Sequence, residues 1–154
     1  MEVVQLKIVL SLLFAAFLIV PSVQAKAVRY CDRKGNYAVK VSGIEMSPDP
    51  VVRGEPATFS IIASTGEAIS GGKMLIDVSY FGVPIHKETH DLCGETSCPV
   101  SLGDFVISHT QVLPGYTPPG SYTLKMTMSD ADGNVLTCVS FDFKIRVGSS
   151  VAAF

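Results

Sequence analysis

SYTLKMTMSDADGNVLTCVSFDFKIRV, Ser121 to Val147, carries the pattern that decides the fold. From Ser121 to Asp130, Tyr122, Leu124, Met126 and Met128 fall on one side of an extended chain, with Thr123, Lys125 and Thr127 on the other. Leu136 to Val147 repeats the alternation, setting Val139, Phe141, Phe143 and Ile145 against Cys138, Ser140, Asp142 and Lys144. A period of two marks a strand with one buried face, because successive side chains leave opposite sides of the pleat. Between the runs stands DADGN, and an Asp-Gly pair in that position predicts a hairpin.

Earlier segments carry the same signal. In Lys73 to Tyr80, Met74, Ile76, Val78 and Tyr80 oppose Lys73, Asp77 and Ser79, and Ala57 to Ser64 alternates through Phe59, Ile61 and Ala63. Tyr37 to Ser47 alternates through Val39 and Val41, then resumes at Ile44 and Met46 after Gly43; a change of phase beside a glycine predicts a bulge. Ile85 to Leu92 is expected to return across Gly82-Val83-Pro84. Seven or so short strands with no convincing helix predict an all-β chain, an immunoglobulin-like two-sheet sandwich. The immunoglobulin Cys-Trp-Cys pattern is excluded, since the chain has no Trp.

The chain opens with the apolar run Ile8 to Val20, followed by PSVQAK. This is the layout of a signal peptide over 1–25 with cleavage after Ala25, and the run is shorter than the roughly 20 residues of a membrane anchor. The expected domain is 26–148, with a frayed tail over 149–154. In an oxidising compartment Cys31, Cys93, Cys98 and Cys138 should pair. Three connectivities exist, and Cys93 with Cys98 plus Cys31 with Cys138 is favoured: one closes a turn containing Gly94, the other joins the ends of the domain. Cys-x4-Cys is a poor match to zinc or thioredoxin-like C-x-x-C spacing. Twelve basic and 14 acidic residues, interspersed to a net −2, give no footprint for nucleic acid and no polybasic membrane patch.

Chemistry-bearing motifs are sparse. GEAISGGK, Gly66 to Lys73, misses the phosphate-loop register, because Glu67 stands where the first Gly belongs and Met74 where Ser or Thr belongs. His86, Glu88 and His90 share one strand face, a pattern that can hold a transition metal but more simply makes a solvated polar face on an edge strand. His109 has no neighbouring carboxylate or nucleophile in sequence. No G-x-S-x-G or H-E-x-x-H appears; catalytic groups can meet from distant positions, but with no constellation to build on, no enzyme, metal or cofactor is expected. The inward apolar residues favour a packed core on pattern alone, although they are also compatible with a cavity between splayed sheets.

Several pieces in order resemble a known family: Tyr30-Cys31-Asp32, Ser47-Pro48-Asp49-Pro50, Tyr80-Phe81-Gly82-Val83-Pro84-Ile85, Asp91-Leu92-Cys93 through Ser97-Cys98-Pro99-Val100, Val112-Leu113-Pro114, and Leu136-Thr137-Cys138-Val139-Ser140-Phe141. Together they resemble the MD-2-related lipid-recognition (ML) family, which includes Niemann-Pick type C2 proteins, group 2 mite allergens and, nearest to this chain, plant ML proteins. The resemblance implies a sandwich with an apolar cavity between its sheets, and it supports the favoured disulfide pairing. It makes Phe59, Ile61, Met74, Ile76, Val78, Tyr80, Tyr122, Leu124, Met126, Met128, Phe141 and Phe143 the expected cavity wall. Val83, Pro84, Ile85, Pro114, Tyr116 and Pro118 become the expected mouth. The function it implies is a secreted, monomeric carrier of a sterol or phospholipid that touches membranes or a membrane protein transiently. The alternative is a lipid-dependent extracellular signalling or interaction module. Apart from the bound lipid no cofactor is implied, and the destination is the apoplast or extracellular space, or a vacuolar or endosomal lumen.

Overall fold

The computed structural model describes residues 26–148; the expected signal peptide and C-terminal tail lie outside the described residues. Nine strands are present among these residues: β1 (Arg29–Tyr30), β2 (Val39–Ser47), β3 (Val51–Val52), β4 (Pro56–Thr65), β5 (Gly72–Tyr80), β6 (Val83–Asp91), β7 (Gly103–Val112), β8 (Gly120–Asp130) and β9 (Val135–Arg146). One helical turn, α1 (Leu92–Glu95), interrupts them. The larger sheet runs β1-β9-β8-β5-β6 with β3 parallel to β9, and β2-β4-β7 forms the smaller sheet that faces it.

The alternation of β5, β8 and β9 becomes rows of side chains across the larger sheet. Ile76 stands opposite Met126 and Met126 opposite Val139. Val78, Leu124 and Phe141 form the next row, and Tyr80, Tyr122 and Phe143 the one beyond. Pairs of this kind are what stabilise a sheet, and each fully buried apolar side chain adds roughly 1.5–3 kcal/mol. The predicted bulge is present: the β2–β4 register shifts between Val41 and Gly43. Beside it the Val41 amide donates to the Tyr30 hydroxyl at 2.9 Å, so the irregularity is used to fasten the N-terminal segment.

Sequence and structure differ at three places. The β5–β6 turn is Phe81-Gly82, not Gly82-Val83-Pro84: Tyr80 pairs with Val83, and the two turn residues have φ of 50° and 81°. Positive φ at both central residues matches the twist of adjoining strands, which the favoured two-residue hairpin requires. Strand β7 gave no clean signal, because its inward side is half polar (Phe105, Ile107, His109, Gln111) while Val106 and Val112 face out. The segment Leu92–Glu95, read as the end of a strand and a turn, forms a helical turn whose Cys93 amide donates to Asp91 Oδ1.

Both favoured disulfides are present, Cys31–Cys138 and Cys93–Cys98. Their sequence separations are 107 and 5. In the chain-entropy model the long bridge adds more than about 4 kcal/mol and the short one roughly 2 kcal/mol. The Gly66–Lys73 stretch is a turn into β5, and Gly72 has a packing reason: a Cβ there would overlap the Ser129 carbonyl on β8. Because that neighbour is backbone in a paired strand, it has nowhere to move. Gly72→Ala should therefore lower stability by about 1–3 kcal/mol, read as an earlier urea midpoint at an unchanged slope; an unchanged midpoint would show that the strands can spread.

Candidate functional site

The two sheets do not pack alike along their length. At one end Val39, Ala63, Ile107, Met128, Leu136 and Val139 are fully or almost fully buried and fill the interior. At the other a cavity of about 470 Å³ remains, walled by Phe59 and Ile61 from the smaller sheet and by Met74, Ile76, Val78, Tyr122, Leu124, Met126, Phe141, Phe143 and Ile145 from the larger. The packed core and the cavity thus coexist in one sandwich. Phe59 meets Phe143 edge to face with centroids 5.6 Å apart, and Tyr122 stacks on Phe143 at 5.6 Å, so the aromatic wall holds its own shape.

Ten of the twelve expected wall residues line the cavity. Met128 does not, because it lies at the packed end and is fully buried there. Tyr80 does not either: its ring packs on Tyr122 at 4.7 Å and Phe81 at 4.5 Å, and its hydroxyl donates to the Pro119 carbonyl at 2.9 Å. It braces the mouth from outside. Ile145 and Leu113 are lining residues that the sequence reading did not assign, although the inward phase of Ile145 was already visible.

The mouth lies where the β5–β6 hairpin meets the β7–β8 loop. Ile85, Pro114, Tyr116 and Pro118 line it as expected, joined by Thr117. Val83 and Pro84 do not, since the turn falls one residue earlier and they open β6 on the exposed side. The loop is held from several directions. Gly54 N–H donates to the Leu113 carbonyl at 2.7 Å, Arg53 to the Thr117 carbonyl at 3.2 Å, and the Tyr122 hydroxyl to the Pro118 carbonyl at 2.6 Å. From this fixed backbone Tyr116 projects with 85% of its surface exposed. Phe81, Val83 and Ile85 are also exposed at this end, so the opening has an apolar collar.

One wall is polar, and the sequence revealed only its β6 half, His86, Glu88 and His90. β6 and β7 are the free edges of their two sheets, and the gap between them is spanned by side chains. His86 and His90 donate through Nε2 to Glu88 at 2.5 and 2.7 Å, and Gln111 Nε2 reaches Glu88 Oε1 from the opposite sheet at 3.2 Å. His109 stands between Glu95 (Nδ1, 3.1 Å) and Gln111 (Nε2, 3.1 Å), with its ring 4.6 Å from that of His90. Glu95 arrives from α1, which the Cys93–Cys98 bridge closes. The expected solvated face on β6 is thus only partly correct: Glu88 and His90 are half-buried because they turn toward β7, and His86, Glu88, His109 and Gln111 line the cavity. Partial burial pushes the Glu88 carboxyl up, but hydrogen bonds from His86, His90 and Gln111, with the charge of His86, outweigh it and hold the group at about 2.

Comparison with known proteins fits this geometry. The family model described as ML domain matches residues 25–145. A putative phosphatidylglycerol/phosphatidylinositol transfer protein of Dictyostelium discoideum is 31% identical over 141 residues, 88% of this chain and 96% of its own. The MD-2-related lipid-recognition protein ROSY1 of Arabidopsis thaliana is 30% identical over 151 residues, 92% of this chain and 91% of its own. Among solved structures, a Niemann-Pick type C2 protein from the Japanese carpenter ant superposes with a TM-score of 0.63 at 18% identity, covering 78% of this chain and 99% of that one, a likeness of fold. With the family model spanning nearly all of the described residues, and with two relatives at 30% identity or above matched along most of their length, the chain belongs to the ML domain family.

Proposed function

We infer that the chain is a lipid carrier: it holds one sterol or phospholipid in the cavity and exchanges it at a membrane, with no chemical step of its own. The observation that carries this reading is the cavity, about 470 Å³, walled by apolar side chains of both sheets and opening at a collared mouth. Its volume lies within the roughly 300–1,000 Å³ usual for small-molecule sites. Each methylene taken from water into such a wall adds about 0.8 kcal/mol. An acyl chain can therefore be held firmly although nothing hydrogen-bonds it. The polar wall at Glu88, His109 and Gln111 gives a headgroup or sterol hydroxyl a place to face. Relatives named as phosphatidylglycerol/phosphatidylinositol transfer proteins support a phospholipid guest. Exposed Phe81, Val83, Ile85 and Tyr116 suit shallow contact with a bilayer during exchange. Two disulfides suit the secretory pathway, with the extracellular space or an endosomal or vacuolar lumen as the site of action.

Two experiments test the carrier directly. Native mass spectrometry of protein purified from its own host should show one lipid per chain, and fluorescent phosphatidylglycerol should move between vesicles faster when the protein is added. Binding without acceleration would favour the signalling module; an empty protein that takes up nothing from vesicles would end the lipid reading.

The wall and the mouth give separate tests. Met126 is fully buried and faces the cavity, whereas its neighbour Lys125 is exposed on the other side of β8. A carboxylate at the buried position would lack a partner, and an uncompensated charge there costs more than the roughly 2–7 kcal/mol of an unpaired neutral polar group. Met126→Asp should accordingly lose lipid uptake while Lys125→Asp keeps it, with circular dichroism reporting that both fold; similar losses in both would refute the strand phase.

Tyr116 touches the mouth but caps no core. Tyr116→Ala should speed uptake and release several-fold while unfolding stability stays within about 0.5 kcal/mol. A large loss of stability with unaltered exchange rates would make Tyr116 a structural cap instead.

A further inference from the structure

Glu88, His90 and His109 each offer one ligand atom, and these atoms all lie within 4.8 Å of one another. We propose that they form a binding site for one divalent transition-metal ion of the zinc class, and that the ion ties the free edges of the two sheets together.

The donor types set the class of ion. Two imidazole nitrogens and a carboxylate oxygen suit zinc and its first-row neighbours, whereas calcium and magnesium prefer all-oxygen shells. Three protein ligands leave one position of a tetrahedron for water or for an anionic group arriving from the cavity, which Glu88 and His109 also line.

The supporting shell is already built. Metal-bound imidazoles and carboxylates are ordinarily fixed by outer hydrogen-bond partners. Glu95 Oε1 lies 3.1 Å from His109 Nδ1 and 3.7 Å from His90 Nδ1, and it comes from the disulfide-closed turn α1. Gln111 and His86 hold Glu88 Oε1 at 3.2 and 2.5 Å, leaving Oε2 to His90 alone. The ligands stand on strands, which place side chains more precisely than loops do.

Charge points the same way. Glu88 and Glu95 are both largely covered, with 20% and 14% of their side-chain surface exposed. Among the described residues their ion-pair partners are histidines only; Lys87, next in sequence, faces away and pairs with Asp77 at 3.6 Å. Covered carboxylates normally come with a cation. One divalent ion would neutralise both.

The test uses the mature disulfide-bonded chain, freed of metal with a chelator and titrated with zinc chloride by calorimetry. One ion per chain should bind, with no comparable heat from magnesium. Zinc should raise the melting temperature of the native protein but not of His109→Gln. His90→Gln and His109→Gln should each weaken binding by more than about 100-fold, and Glu95→Gln, which only positions the imidazoles, by about 10–100-fold. Lys87→Gln should bind as the native chain does, and melts without metal report that every variant is folded. Absence of zinc uptake would overturn the proposal, as would equal weakening in Lys87→Gln. Undiminished binding by His109→Gln would place the ion on β6 alone and overturn the cross-sheet assignment.

Discussion

The apolar face of the larger sheet is broader than the three strands that cover it, and the rest of the molecule follows from that mismatch. β5, β8 and β9 present aligned rows of Met, Ile, Leu, Val, Phe and Tyr, which must be taken out of water. β2, β4 and β7 cover one end closely, and there the interior is solid. Toward the other end coverage fails, and two devices make up the difference. Aromatic rings buttress one another around the space that is left, and a proline-bearing loop bonded to Arg53, Gly54, Tyr80 and Tyr122 rims it.

The legible part of this arrangement is the part governed by local rules. Period-two alternation in β5, β8 and β9, the Asp-Gly turn, and the phase change at Gly43 each report on neighbours a few residues away, and each is where it was expected. β7 was hidden because a strand that shows polar groups to a cavity and Val106 and Val112 to solvent inverts the rule by which strands are recognised. The hairpin turn was misplaced because Phe81 adopts a positive φ that bulky residues seldom take. The joining of the β6 histidines and Glu88 to β7 was out of reach for another reason. His109 lies 19 positions beyond His90 in sequence, and only the facing of two sheet edges brings their rings to 4.6 Å.

The two disulfides act on different scales. Cys31–Cys138 ties the N-terminal segment to β9 and constrains nearly the whole domain, in keeping with its separation of 107 residues. Cys93–Cys98 constrains very little chain, and its value is positional. By closing the turn that carries Glu95, it fixes a carboxylate against His109 that an open loop would leave free to swing into water. In a polar cluster with so few members, the placement of one carboxylate decides whether the others are satisfied.

The two long sides of the sandwich are fastened by unlike means. On one, the backbone itself passes between the sheets twice: Lys26 bridges Ile44 before Arg29 joins β9, and the chain then leaves β2 to lay β3 beside β9. On the other, between β6 and β7, the middle is held by side chains such as Gln111 on Glu88. A hydrogen bond to a carboxylate contributes about 1.5–3 kcal/mol and can part, whereas the backbone cannot. A guest of greater girth would therefore part that seam while the opposite side serves as a spine. Girth would then become an elastic variable, and discrimination between guests would move to the groups along the seam that each one disturbs.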